Sequence, residues 1–84
     1  LATYTEILSS LKELLVPYVG SGQDLDEDTD LVADLGLTSL TVMDLLMEIE
    51  DRFDVSVPLN QLPKVRTVAD LANMLDELIN GPPA

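Results

Sequence analysis

Three stretches of this chain repeat aliphatic side chains every three or four residues, and no strand pattern competes with them. That period places each set on one face of a helix, so the chain must bury several apolar helix faces against one another. Tyr4, Ile7, Leu8, Leu11, Leu14, Leu15 and Tyr18 mark a first helix that ends near Pro17. Val42, Leu45, Leu46, Ile49 and Phe53 mark a second, over Leu40 to Phe53. Val68, Leu71, Ala72, Leu75, Leu78 and Ile79 mark the last. Thr67 and Asp70 have the spacing of a capping box at its start, with Asp in place of the usual Glu, and Gly81, Pro82 and Pro83 stop it. Val55, Val57 and Pro58 read as an extended exit from the second helix, because proline disfavours helix in the residue before it. Leu59 to Leu62 leave room for only a short turn of helix before Pro63. The expectation is an all-α four-helix bundle with three long helices, one short helix and a long first loop.

The chain has 84 residues, which suits one domain over 1–84, with a core over about residues 3–80 and a flexible tail at 81–84. At 46% apolar it has the material for a core, but one Phe, two Tyr and no Trp make that core aliphatic. There is no cysteine, so neither disulfides nor thiolate metal ligands contribute. The stretch from Gly20 to Asp30 is rich in Gly, Ser and Asp and has no period, so it reads as loop. A connection of about twenty residues is unusual in a small domain. Leu25, Leu31, Val32, Leu35 and Leu37 are spaced to pin it onto the core.

Sixteen acids against four bases leave a net charge of -12, which repels nucleic acid and anionic membranes and favours basic protein partners. No apolar run approaches the roughly eighteen residues of a membrane span, and the amino terminus lacks the pattern of a signal peptide. A cytoplasmic monomer is expected. A start at Leu1 is compatible with processing, trimming or excision from a longer polypeptide, and the sequence does not choose among them.

Chemistry within the chain is poorly supported. A serine hydrolase needs a base, and there is no His; Lys12 and Lys64 are the only lysines, and nothing in the sequence brings either to a serine. Asp24, Asp26, Asp28 and Asp30 alternate as in a calcium loop, but that loop wants Gly at its sixth position and Glu at its twelfth, where this chain has Thr29 and Leu35. Neither an enzyme nor a dedicated metal site is expected.

Gly36, Leu37, Thr38 and Ser39 stand where the long loop meets the second helix, and Thr38 or Ser39 could supply the capping oxygen. On local chemistry Ser39 is a cap or first-turn serine. The same position also favours an anion, by roughly 0.3 to 1 kcal/mol, because free N–H groups and the helix dipole converge there. The run Asp34-Leu35-Gly36-Leu37-Thr38-Ser39-Leu40, the acidic amphipathic helix after it, and Phe53-Asp54-Val55-Ser56-Val57-Pro58 resemble the acyl carrier proteins over nearly the whole chain. In that family the serine of an Asp-Ser-Leu signature receives 4'-phosphopantetheine from coenzyme A, and the thiol of the arm holds acyl groups as thioesters. The resemblance therefore implies attachment at Ser39 by a phosphopantetheinyl transferase. It further implies service to acyl-transferring or acyl-modifying enzymes with basic docking surfaces, in fatty-acid, polyketide or related specialised acyl metabolism.

Thr38 stands where the family has Asp before the serine, and Thr41 where a second acid often follows Leu, so charge is withdrawn beside the attachment position. This points to a specialised carrier. A peptidyl carrier of nonribosomal synthesis is the second reading, although Leu35-Gly36-Leu37 lacks the two glycines usual there; an unmodified helical adaptor is the third. On the second helix Asp44, Glu48 and Asp51 line one stripe and Leu40, Met43 and Met47 another. In the resembled family partners grip this region. The alternatives are a solvated face for the acids and core filling for the methionines.

Overall fold

The computed structural model describes residues 3–20 and 24–81. Its α-helices are α1, Tyr4–Leu15; α2, Ser39–Phe53; and α3, Val68–Asn80. Two 3₁₀ segments, Val16–Tyr18 and Leu59–Lys64, complete the helical structure, and the described residues contain no strand, only an isolated bridge between Asp30 and Thr67. Of the tail expected at 81–84, residues 82–84 lie outside the described residues, as does Ser21.

Each helix begins where a threonine can cap it. Thr3 Oγ1 accepts from Glu6 N while Glu6 Oε1 accepts from Thr3 N, a complete capping box. Thr67 and Asp70 make the same reciprocal pair at α3, so Asp substitutes for Glu there without losing either bond. Those bonds to Thr67, followed by that to the Arg66 N–H, hold the Asp70 carboxyl below its ordinary range, and the cap holds that of Glu6 down likewise. α1 gives way to a 3₁₀ turn at Val16 because Pro17 cannot continue the ladder, which puts Tyr18 in that turn and not on α1. α2 ends at Asp54, which takes the left-handed conformation at φ 55°, one of the few places where a short polar side chain replaces glycine.

The short helix expected at 59–62 is a 3₁₀ helix that runs through Pro63 to Lys64. Pro63 has no N–H to give, and the surviving bonds close three residues back: Gln61 N to Pro58 O, and Val65 N to Leu62 O.

Ile7, Leu11 and Leu15 of α1, Leu45, Leu46 and Ile49 of α2, and Val68, Leu71, Ala72, Met74 and Leu75 of α3 form one buried cluster, joined by Leu31, Leu37 and Val57. α1 packs mainly on α3 and secondarily on α2. The buried cluster has no aromatic residue; Tyr4, Tyr18 and Phe53 close its edges half-buried. Fully burying each such Leu or Ile stabilises by about 1.5–3 kcal/mol, so the aliphatic set suffices without rings.

The long loop is built, not slack. Asp26 Oδ1 accepts from Asp28 N, Asp30 Oδ1 accepts from both Val32 N and Ala33 N, and Asp34 Oδ2 accepts from Asp30 N at 2.7 Å. Asp26, Asp30 and Asp34 are thus turn formers, each tying its carboxylate to backbone a few residues away. Thr29 is buried, with its Oγ1 accepting from Asp26 N. The loop carbonyls of Thr29 and Glu27 accept from Val68 N and Ala69 N, satisfying the first amides of α3, while Leu31 N donates to Arg66 O. Leu31 and Leu37 reach the core and Leu25 and Leu35 pack against it, but Val32, also expected to pin the loop, is exposed. Its carbonyl instead accepts from Gly36 N, at the turn where Gly36 takes φ +68° and sends the chain into α2.

Candidate functional site

Thr38 is the cap of α2. Its Oγ1 accepts from Thr41 N at 3.2 Å, its carbonyl accepts from Val42 N, and its hydroxyl is 3.0 Å from that of Thr41. Ser39, the first residue of α2, is exposed and is left without a capping task. Among the described residues its hydroxyl has no hydrogen-bond partner. The amides of Ser39 and Leu40 belong to the first turn, where no intrahelical acceptor exists, so they face outward as donors. The first turn of α2 contains no acid, although α1 and α3 carry Glu6 and Asp70 in theirs. A free hydroxyl thus stands at the positive end of a fifteen-residue helix whose first turn holds no carboxylate.

Beside Ser39 is a cavity of about 310 Å³. Thr38 and Ser39 stand at one wall, Val42 and Met43 continue that wall along α2, and Leu62, Pro63 and Val65 form the wall opposite. Leu31 and Val32 of the loop complete it. The lining is aliphatic apart from the two hydroxyl residues. Reading the sequence by helical period misses this wall, because Val32 and Val65 belong to no period and Leu62 is legible only as part of a short helix.

The two stripes of α2 both face out. Leu40 is 72% exposed, Met47 67% and Met43 47%, which rules out core filling as the task of the methionines. Asp44, Glu48 and Asp51 are exposed beside them. The phenol of Tyr18 is pushed above its ordinary range first by burial and then by the charges of Glu48 and Asp44. Towards the end of α2, Arg52 donates to Glu13 of α1 at 2.7 Å, so this cation is engaged with α1.

No helix of the described residues is long and apolar enough to cross a membrane. A family described as the phosphopantetheine attachment site matches residues 9–75. A probable acyl carrier protein of Caulobacter vibrioides is 35% identical over 72 residues, covering 82% of this chain and 84% of that protein. An acyl carrier protein of a Sulfurovum species is 32% identical over 73 residues, covering 86% of this chain and 97% of the relative. That of Wolinella succinogenes is 30% identical over 71 residues, covering 83% and 93%. A match of this extent, on a helical domain of this form, places the chain in the acyl carrier protein family, whose members hold 4'-phosphopantetheine covalently and are carriers, not catalysts.

Proposed function

We propose that Ser39 is the residue that bears the phosphopantetheine arm, and that residues 1–84 act as one carrier domain with a core over about residues 3–80. The observation that carries this is the division of labour at the start of α2: Thr38 takes the cap, so the exposed Ser39 hydroxyl is free to be esterified without unmaking the helix start. Attachment forms one bond, from Ser39 Oγ to the phosphorus next to the pantetheine of coenzyme A, and breaks that phosphorus's bond to the nucleotide half, which leaves as adenosine bisphosphate. The serine proton must go to a base, and the transferase supplies it, since this chain has no His. The resulting phosphodiester lies within the field of the first amides of α2 and away from any first-turn acid.

The carrier then works by proximity. An acyl group held as a thioester on the arm meets successive enzymes at an effective concentration set by the tether, of millimolar order for a short flexible link. Leu40, Met43 and Met47 offer apolar contact to those enzymes, while Asp44, Glu48 and Asp51 steer basic ones, in fatty-acid, polyketide or related acyl metabolism. The cavity beside Ser39 gives the acyl chain somewhere to shelter between encounters.

The test is intact mass after incubation with coenzyme A and a broad-specificity phosphopantetheinyl transferase. Wild type should gain one phosphopantetheine and Ser39→Ala none. A gain that persists in Ser39→Ala, at Ser9, Ser10, Ser21 or Ser56, overturns the assignment.

A further inference from the structure

The cavity beside Ser39 has a smaller neighbour along α2. One turn further, a second hollow of about 90 Å³ lies between Leu46, Met47 and Glu50 of α2 and Val57 of the segment that leaves it. Met43 lines both. The two spaces therefore follow one edge of the same helix and share a wall made by a single side chain. We infer that Met43 is a specificity-determining residue that sets the length of acyl chain this domain can shelter, by separating the cavity beside Ser39 from its continuation toward Val57. The inference rests on Ser39 bearing the acyl arm, and its occupant is the chain on that arm, because Ser39 itself lines the larger space.

Volume gives the limit. A cavity of 150 Å³ accommodates benzene, about 25 Å³ per carbon, so about 310 Å³ corresponds to at most about a dozen carbons. The second hollow of about 90 Å³ adds about three to four more on the same scale. It stops there for a chemical reason: Glu50 stands at its wall, its Oε2 accepting from Val57 N at 2.9 Å, and a hydrocarbon gains nothing by advancing on a carboxylate. A methionine suits this position because its unbranched side chain fills an irregular gap and turns easily. Nearly half of Met43 is in water and it lies outside the buried cluster of α2, so its truncation leaves Leu45 and Ile49 covered and opens space chiefly beside Leu46.

The experiment loads wild type, Met43→Ala and Met43→Leu with a series of straight-chain acyl-phosphopantetheines, transferred from the corresponding acyl-coenzyme A thioesters, and records the thermal midpoint of each product. In wild type the midpoint should climb with chain length and level off at about a dozen carbons. In Met43→Ala it should go on climbing for about three to four carbons more, while Met43→Leu, which keeps a bulky wall, should retain the wild-type limit. The same limit in wild type and Met43→Ala refutes the partition. A midpoint indifferent to chain length in all three shows that the cavity receives some other occupant, such as an apolar side chain of a partner, and refutes the inference while leaving the carrier reading in place. Failure of any wild-type loading at Ser39 removes the carrier assignment, and this inference with it.

Discussion

The division between Thr38 and Ser39 yields a comparison of two adjacent alanine substitutions. Thr38 Oγ1 accepts from Thr41 N at 3.2 Å, so Thr38→Ala takes away the one side-chain acceptor at the start of α2. Losing such a cap costs about 0.5–2 kcal/mol. Thr38 is exposed, so water can reach part of the vacated place and the value should fall near the middle of that range, about 1 kcal/mol. For a domain of this size that lowers the melting temperature by about 4–8 °C. Ser39→Ala removes a hydroxyl that holds nothing within the described residues, from an exposed first-turn position where alanine is at least as good a helix former. Its effect should lie within about 0.5 kcal/mol of zero, as for other surface changes away from a cap. Thermal melts of the two unmodified variants, followed by circular dichroism, make the comparison directly. Modification should show the reverse order, with Thr38→Ala still a substrate of the transferase and Ser39→Ala inert. If Ser39→Ala proves the more destabilising, Ser39 is the working cap and the argument for its availability fails.

Charge reversal at Glu48, which is exposed on α2, should leave stability equal or slightly higher in a domain of net charge -12, yet slow association with the transferase. Steering accounts for about 10 to 10³-fold in such rates, so Glu48→Lys should lose a measurable part of that at low salt and little at high salt; equal rates at low salt by stopped flow would remove the steering role. Raising sodium chloride or adding millimolar magnesium should raise the melting temperature by screening self-repulsion, and a scan of ionic strength at neutral pH checks this. Asp70 has its carboxyl held below the ordinary aspartate range, so the bonds it accepts stabilise the fold above the unfolded pKa, near 3.9, and that contribution is lost as pH falls through the lower folded value. Asp70→Asn should therefore melt below wild type at pH 7, with the gap closing toward pH 2; a constant gap in a pH series of melts would show that ionisation of Asp70 is not the source.

What the sequence made legible follows from which forces are local. The helices announce themselves because an apolar face repeats over three or more turns, and their starts because Thr67 with Asp70 is a bond pattern confined to one turn. The 3₁₀ geometry of Leu59–Lys64 was only partly visible: Pro63 forbids the α ladder, but whether the chain then unwinds or tightens depends on what packs beside it. The loop was least legible. Its aspartates read as loop composition and a failed calcium loop, and Asp26 and Asp30 act as turn formers because each finds backbone N–H groups two or three residues away. Val32 reads as inward on its hydrophobicity alone, and it is instead exposed and lines the cavity beside Ser39. At the site, Ser39 was visible as a junction serine, while the wall opposite it, Leu62, Pro63 and Val65, depends on tertiary placement that no period encodes.

The start of α2 solves two requirements that oppose each other. A helix of fifteen residues needs its first amides satisfied, and in α1 and α3 this chain does so with a threonine and an acid three residues on. An acid in the first turn is worth about 0.3–1 kcal/mol to a helix, and with sixteen acids available the chain places none in the first turn of α2. Thr41 stands there instead, giving its N–H to Thr38 and sharing a hydroxyl contact with it, so the cap is kept and the charge is not. A phosphodiester on Ser39 would compete with a carboxylate at that position for the same amides and be repelled by it at short range. Giving up the acid costs the unmodified helix a fraction of a kcal/mol and leaves the dipole and the outward amides of Ser39 and Leu40 available to an anion. The withdrawal of charge at Thr38 and Thr41 is thus compatible with a sound helix before modification and favourable to one after it.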